Sequence, residues 1–156
     1  MTDPVADPPL KLPPLPAGAS VELVEHTADI AIRVAARNFP DLVIAATWGM
    51  LACIGDLVPL DPDRASETFQ FRTPRRDDQL HDWLSTVLWR VETRQQTISS
   101  GPTVAEVPGG IDVTIGSARI DPARSRWARE VKAVTYHQLA VEPTADGLTA
   151  QLIFDI

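Results

Sequence analysis

Between Asp77 and Arg94 the apolar residues Leu80, Trp83, Leu84, Val87, Leu88 and Val91 recur at intervals of three and four. That spacing lines them along one face of a helix, and a helix apolar on one face requires a second layer to cover it. Asp77 and Asp78 stand where negative charge favours a helix start, and Arg90 and Arg94 where positive charge favours its end. His81 falls opposite the stripe, on the side expected to face water. An earlier segment, from about Pro40 to Cys53, is apolar nearly all round and is expected as a deeply buried helix. Asn38 is placed to cap it, Pro40 is tolerated in its first turn, and Ile54-Gly55-Asp56 ends it.

Elsewhere the apolar period shortens to two. Val21 to His26 and Ile30 to Ala36 read as strands, the second with Ile30, Ile32 and Val34 alternating with Ala31 and Arg33. Ser66 to Arg72 is a further strand. Val104 to Val107 and Ile111 to Ile115 flank the turn Pro108-Gly109-Gly110. Arg129 to Val141 is expected as one long strand, with His137 packing or hydrogen-bonding within it. Leu148 to Ile156 follows an Asp146-Gly147 turn and puts Leu148, Ala150, Leu152 and Phe154 on one face. The expected fold class is α+β: a single two-layer domain over residues 20–156, two main helices packed on a largely antiparallel β-sheet. Residues 1–19 hold six prolines and few large apolar groups. They are expected to form a disordered, proline-rich tail, because such a segment buries too little to offset its ordering entropy.

The formal net charge is −7 and the sequence pI about 4.8. A protein that grips RNA unaided normally carries a basic surface, so a cation or a protein partner is the better expectation. One cysteine and the three histidines His26, His81 and His137 offer no clustered zinc ligands. The glycines at 109 and 110 precede a strand and lack the lysine and hydroxyl of a phosphate loop. No serine lies in a nucleophile-elbow pattern. Catalysis therefore has no independent support. The longest apolar stretch, Leu42 to Ile54, is too short to span a bilayer, and the N-terminus lacks a basic segment followed by an apolar run. With Cys53 read as a buried reduced thiol, a cytoplasmic protein is expected.

Three carboxylates draw attention. Asp29 opens a strand after the polar turn His26-Thr27-Ala28. Asp155 is the penultimate residue of another strand, and Ile156 carries the terminal α-carboxylate. If those strand ends meet, the crowded charge calls for a counter-ion, and an all-oxygen donor set suits calcium, magnesium or manganese. Spacing alone leaves it open whether they meet, or whether Asp29 caps a turn while Asp155 is solvated near a frayed end.

Four motifs in register now suggest a family. Glu25-His26-Thr27-Ala28-Asp29 matches the His-Thr-Ala-Asp signature that opens archeases, and Glu130-Val131-Lys132-Ala133-Val134-Thr135-Tyr136-His137 is similar to their most characteristic strand. Gln79-Leu80 to Leu88 resembles their Leu-Leu-x-x-Trp-Leu helix, and Asp155-Ile156 matches the Asp-Ile with which they end. The resemblance covers roughly residues 20 to 156. It implies a small α+β accessory protein that is not itself an enzyme. Such a protein assists the RtcB-type tRNA-splicing RNA ligase by speeding formation of the ligase's guanylylated histidine, so that RNA is met only through the ligase. It also implies a metal site formed by Asp29, Asp155 and Ile156, with His26, Glu130 and Lys132 as candidates for orienting that site or touching the partner. Departures from the pattern, at Phe39-Pro40-Asp41-Leu42-Val43, at Ser125-Arg126-Trp127 and in the proline-rich tail, bear on partner contacts more than on the metal site. Two rival readings are a stand-alone metal-dependent phosphoesterase and a chaperone-like interaction module.

Overall fold

The structure, a computed structural model, describes residues 9–24, 29–61 and 66–156. In chain order its elements are β1 (Ser20–Val24), β2 (Ile30–Ala36), α1 (Phe39–Ile54), β3 (Gly55–Asp56), β4 (Ser66–Phe71), α2 (Arg76–Arg94), β5 (Gln96–Val107), β6 (Gly110–Arg119), β7 (Arg126–Trp127), β8 (Ala133–Val134), β9 (Glu142–Thr144) and β10 (Gly147–Asp155). A five-stranded sheet runs β1-β2-β10-β8, with β9 also paired to β10. A three-stranded sheet runs β4-β6-β5, and β3 and β7 form a short ribbon. All these pairings are antiparallel. The α+β class expected from the sequence is what the chain adopts.

Local chemistry explains both helices. At the start of α1 the Asn38 side chain accepts from the Asp41 amide at 2.9 Å, and Pro40 occupies the first turn, where its missing N–H costs nothing. The helix buries Phe39, Leu42, Val43, Met50 and Cys53 against β2 and β5. At Gly49 the helix lies so close to the sheet that an added Cβ would stand 2.7 Å from Ile32 Cδ1 and 2.9 Å from Val21 Cγ1. The stripe on α2 is buried as its spacing predicts, with Leu80, Trp83 and Leu84 fully enclosed. Trp83 would leave an unmet indole N–H in the core, but it donates to Thr47 Oγ1 on α1 at 2.8 Å. Thr47 in turn donates to the Val43 carbonyl at 2.7 Å, so this buried polar pair is satisfied.

Two expectations change. Residues 9–19 do not behave as a disordered tail: Leu10 and Leu15 pack against the core, Lys11 pairs with Asp56 at 3.0 Å, and the Ala19 amide donates to the Pro16 carbonyl at 2.9 Å. The leucines set among the prolines supply apolar contacts that the proline count conceals. Residues 1–8 lie outside the described residues. The long strand expected over 129–141 is also absent; only Ala133–Val134 pairs as a strand. Buried Val131 and Val134 stand three apart, off a period of two, and Gln138 turns the chain at φ 56.

Candidate metal centre

Asp29 and Asp155 are placed by the ladder between β2 and β10. Its last pairs are Ile153 with Ala31 and Phe154 with Ile30. Continued by one residue, this register sets Asp155 opposite Asp29. Directly opposed residues project from the same face, so the two carboxylates share one side of the sheet at one end. That side is opposite the one on which Ile30, Ile32, Leu152 and Phe154 enter the core. Ile156 follows directly and is exposed.

On its other side β10 meets β8, where Asp155 pairs with Ala133 and the Lys132 amide donates to the Asp155 carbonyl at 2.7 Å. Glu130 and Lys132 flank buried Val131 and are themselves exposed. No ion pair joins the two among the described residues. Lys132 is thus brought to the carboxylate edge through its main chain, with its ammonium free to turn outward. His26 lies outside the described residues.

Sequence reasoning missed what holds this edge. The first turns of α2 grip the segment that runs from β8 to β9. Asp77 Oδ1 accepts from the Val141 amide at 2.8 Å, and the Tyr136 hydroxyl is hydrogen-bonded to Asp78. His81, expected to face water, instead stacks its ring on Tyr136 with centroids 3.8 Å apart and planes 17° apart. Its Nε2 lies 3.0 Å from the Val134 carbonyl and its Nδ1 3.1 Å from Asp82. Burial of the Tyr136 hydroxyl, then its bond to Asp78 and the nearby Asp82 charge, push that phenol above its ordinary value. The signal available in the sequence was the run of Asp77, Asp78, His81 and Asp82 on one helix, which reads equally well as a solvated face.

The donors fit a hard cation in type. Among the described residues no three side chains of His, Cys, Asp or Glu gather closely enough to hold an ion. The α-carboxylate expected at Ile156 would join Asp29 and Asp155 in an all-oxygen set, of the kind calcium, magnesium and manganese favour. An apolar cavity of about 270 Å³ opens between α2 and the segment after β7, lined by Ile54, Leu88, Val91, Trp127 and Val131. It adds Glu92, Arg129 and Glu130, but no hydroxyl, thiol or imidazole that could act as a nucleophile.

The profile of the Archease protein family (MTH1598/TM1083) matches residues 22–156. The chain belongs to the archease family. Protein archease of Methanosarcina barkeri (strain Fusaro / DSM 804) is 30% identical over 143 residues, spanning 89% of this chain and 97% of its own. That of Methanopyrus kandleri is 33% identical over 141 residues, spanning 86% and 98%. The solution structure of Methanobacterium thermoautotrophicum protein 1598 superposes with a TM-score of 0.65 at 21% identity, covering 87% of this chain and 98% of that one. The crystal structure of a Thermotoga maritima archease, described as a possible chaperone, gives 0.62 at 22% identity, covering 85% and 94%. At these identities the two structures speak to the archease fold alone. Among the described residues no helix is long and apolar enough to cross a membrane.

Proposed function

We propose that this chain is a cytoplasmic, non-catalytic accessory protein that activates an RtcB-type RNA ligase in tRNA splicing and RNA repair, working through a divalent cation held at the carboxylate edge. The observation that carries this reading is the β2–β10 register, whose continuation by one residue would set Asp29 and Asp155 on one face, in a chain of the archease family. Asp29, Asp155 and Ile156 would hold calcium, magnesium or manganese; such an ion supplies neutralisation of charge on a triphosphate. The chain's own residues present and orient. The sheet end exposes Asp155, Ile156, Glu130 and Lys132 toward a partner. Lys132 would meet phosphate or an acidic partner surface, and Glu130 and His26 are the candidates for orienting the ligands. RNA is met only through the ligase, in keeping with the net charge of −7.

The test is ligation of cyclic-phosphate RNA by limiting cognate ligase with GTP and metal, with and without this protein. The wild type should raise turnovers strongly. Asp29→Ala and Asp155→Ala should each remove the rise and weaken cation binding by more than the roughly 10–100-fold typical of outer-shell losses, while keeping the fold. One glycine added after Ile156 turns the α-carboxylate into an amide and should do the same. Full activation by folded Asp29→Ala sinks the cation reading. An interaction-module reading is favoured by the exposed Trp89, Trp127 and Tyr136; protection of unrelated clients that survives chelator would bring it forward.

A further inference from the structure

Little holds the carboxylate edge in place. Among the described residues the ladder to β2 ends at Phe154, one residue short of Asp155. The contact that continues past it is with β8, through the Asp155–Ala133 pair and the Lys132 amide. Yet β8 is only two residues long. A strand that short has too few ladder bonds to fix its own register. Thr135, whose amide and Oγ1 both donate to the Ile153 carbonyl, restrains it from the sheet side, and a second restraint lies on the helix layer.

His81 reaches from α2 to the Val134 carbonyl, at 3.0 Å from Nε2. Val134 is itself the β8 residue paired with Phe154. The ring is clamped from two further sides, by Tyr136 stacked at 3.8 Å and by Asp82 at 3.1 Å from Nδ1. A carbonyl only accepts, so the contact with Val134 puts a proton on Nε2. Such a ring is a rigid strut between helix and strand, and its side chain is only 18% exposed.

We propose that His81 is a positioning residue: its Nε2–H fixes β8 against β10 and so holds the carboxylates of Asp155 and Ile156 beside Asp29. The cation enters this inference only through the function proposed above; the positioning is a property of main-chain amides and can be read without it.

Two variants of the full chain separate the donor from the ring. His81→Phe keeps a flat ring to stack on Tyr136 but cannot donate. His81→Gln keeps an amide donor of similar reach but no ring. The first readout is hydrogen exchange at the Lys132 and Thr135 amides, which donate to the Asp155 and Ile153 carbonyls, with the amides of β2 as control. The second is calorimetric titration with calcium and with manganese. In His81→Phe the two amides should exchange roughly five- to tenfold faster, as loss of one hydrogen bond of ordinary strength implies. The β2 amides should be unchanged and cation affinity should fall by a similar factor, whereas His81→Gln stays close to wild type. Unchanged exchange in His81→Phe overturns the proposal. So does loosening of the same two amides by roughly five- to tenfold in His81→Gln, which would assign the effect to the stacked ring, and this arm decides even if His81→Phe does not fold. If wild type binds neither metal while His81→Phe still loosens Lys132, the positioning stands and the cation reading fails.

Discussion

Tyr136 is the chain's one tyrosine, so the near-ultraviolet absorbance of its phenolate can be titrated free of overlap. The residue is 53% exposed, and partial desolvation, a hydrogen bond with Asp78 and the charge of Asp82 act on its hydroxyl. These causes raise its pKa above the ordinary 10.0. The sign follows from proton linkage: a group whose folded value is raised contributes fully below the unfolded value and loses that contribution as pH rises through the folded one. Stability should therefore decline as pH rises beyond about 10, with a phenolate midpoint above that of free tyrosine. A midpoint at the free value would remove the Tyr136–Asp78 bond from the structure. Asp29, Asp155 and Ile156 stand out as candidates because strand-end carboxylates are visible in a sequence; that β2 and β10 pair, with Phe154 opposite Ile30, is not, since register is a property of pairing. His81 was illegible for another reason. Helical periodicity says which side faces the core, not what returns from residues 134 to 136 to cover the other side.

At the scale of elements, α1 and α2 lie close to where capping and spacing place them, with α1 beginning one residue earlier at Phe39. The segment after β7 does not, because its bonds are of a kind that alternation cannot express. Thr135 Oγ1 donates to the Ile153 carbonyl at 2.9 Å, Asp77 takes the Val141 amide, and Gln138 adopts a positive φ. The contact of α1 with β1 and β2 yields a quantitative expectation. Gly49→Ala would gain about 1 kcal/mol of helix propensity. Its Cβ, however, would press on Ile32 and Val21, and overpacking of this sort costs about 1–3 kcal/mol. The second effect should win, leaving a net loss of up to about 2 kcal/mol. Urea unfolding reads the outcome, and a Gly49→Ala protein more stable than wild type would mean that helix and sheet part easily there. Thr47→Val belongs to the same interface. It orphans the Trp83 N–H in a fully buried site, at a cost of about 1–3 kcal/mol by the same measurement.

For the molecule as a whole, the sequence carried the two-layer α+β class but not the division into a five-stranded sheet, a three-stranded sheet and a ribbon. Period-two patterning tells which face of a strand is buried, and it is silent about which strand lies alongside. The order β1-β2-β10-β8 sets a strand from the far end of the chain between the first hairpin and β8. A chain cut before Gly147 should therefore lose cooperative unfolding altogether, because Ala150, Leu152 and Phe154 leave the core and β2 loses one of its two partners, along Ile30–Ala36. Loss of the sigmoidal thermal transition is the expected result, and a native-like melt would contradict the pairing.

The same order has a consequence for the protein's manufacture in the cell. The strand that fills the middle of the sheet leaves the ribosome after the others, so β1 and β2 wait through most of translation with an apolar edge uncovered. Unpaired edges of this kind recruit other chains. A message truncated late in its reading frame would thus yield a sticky, protease-prone product and not a shortened protein with part of its activity. Quality control, not graded function, would be what such a lesion meets.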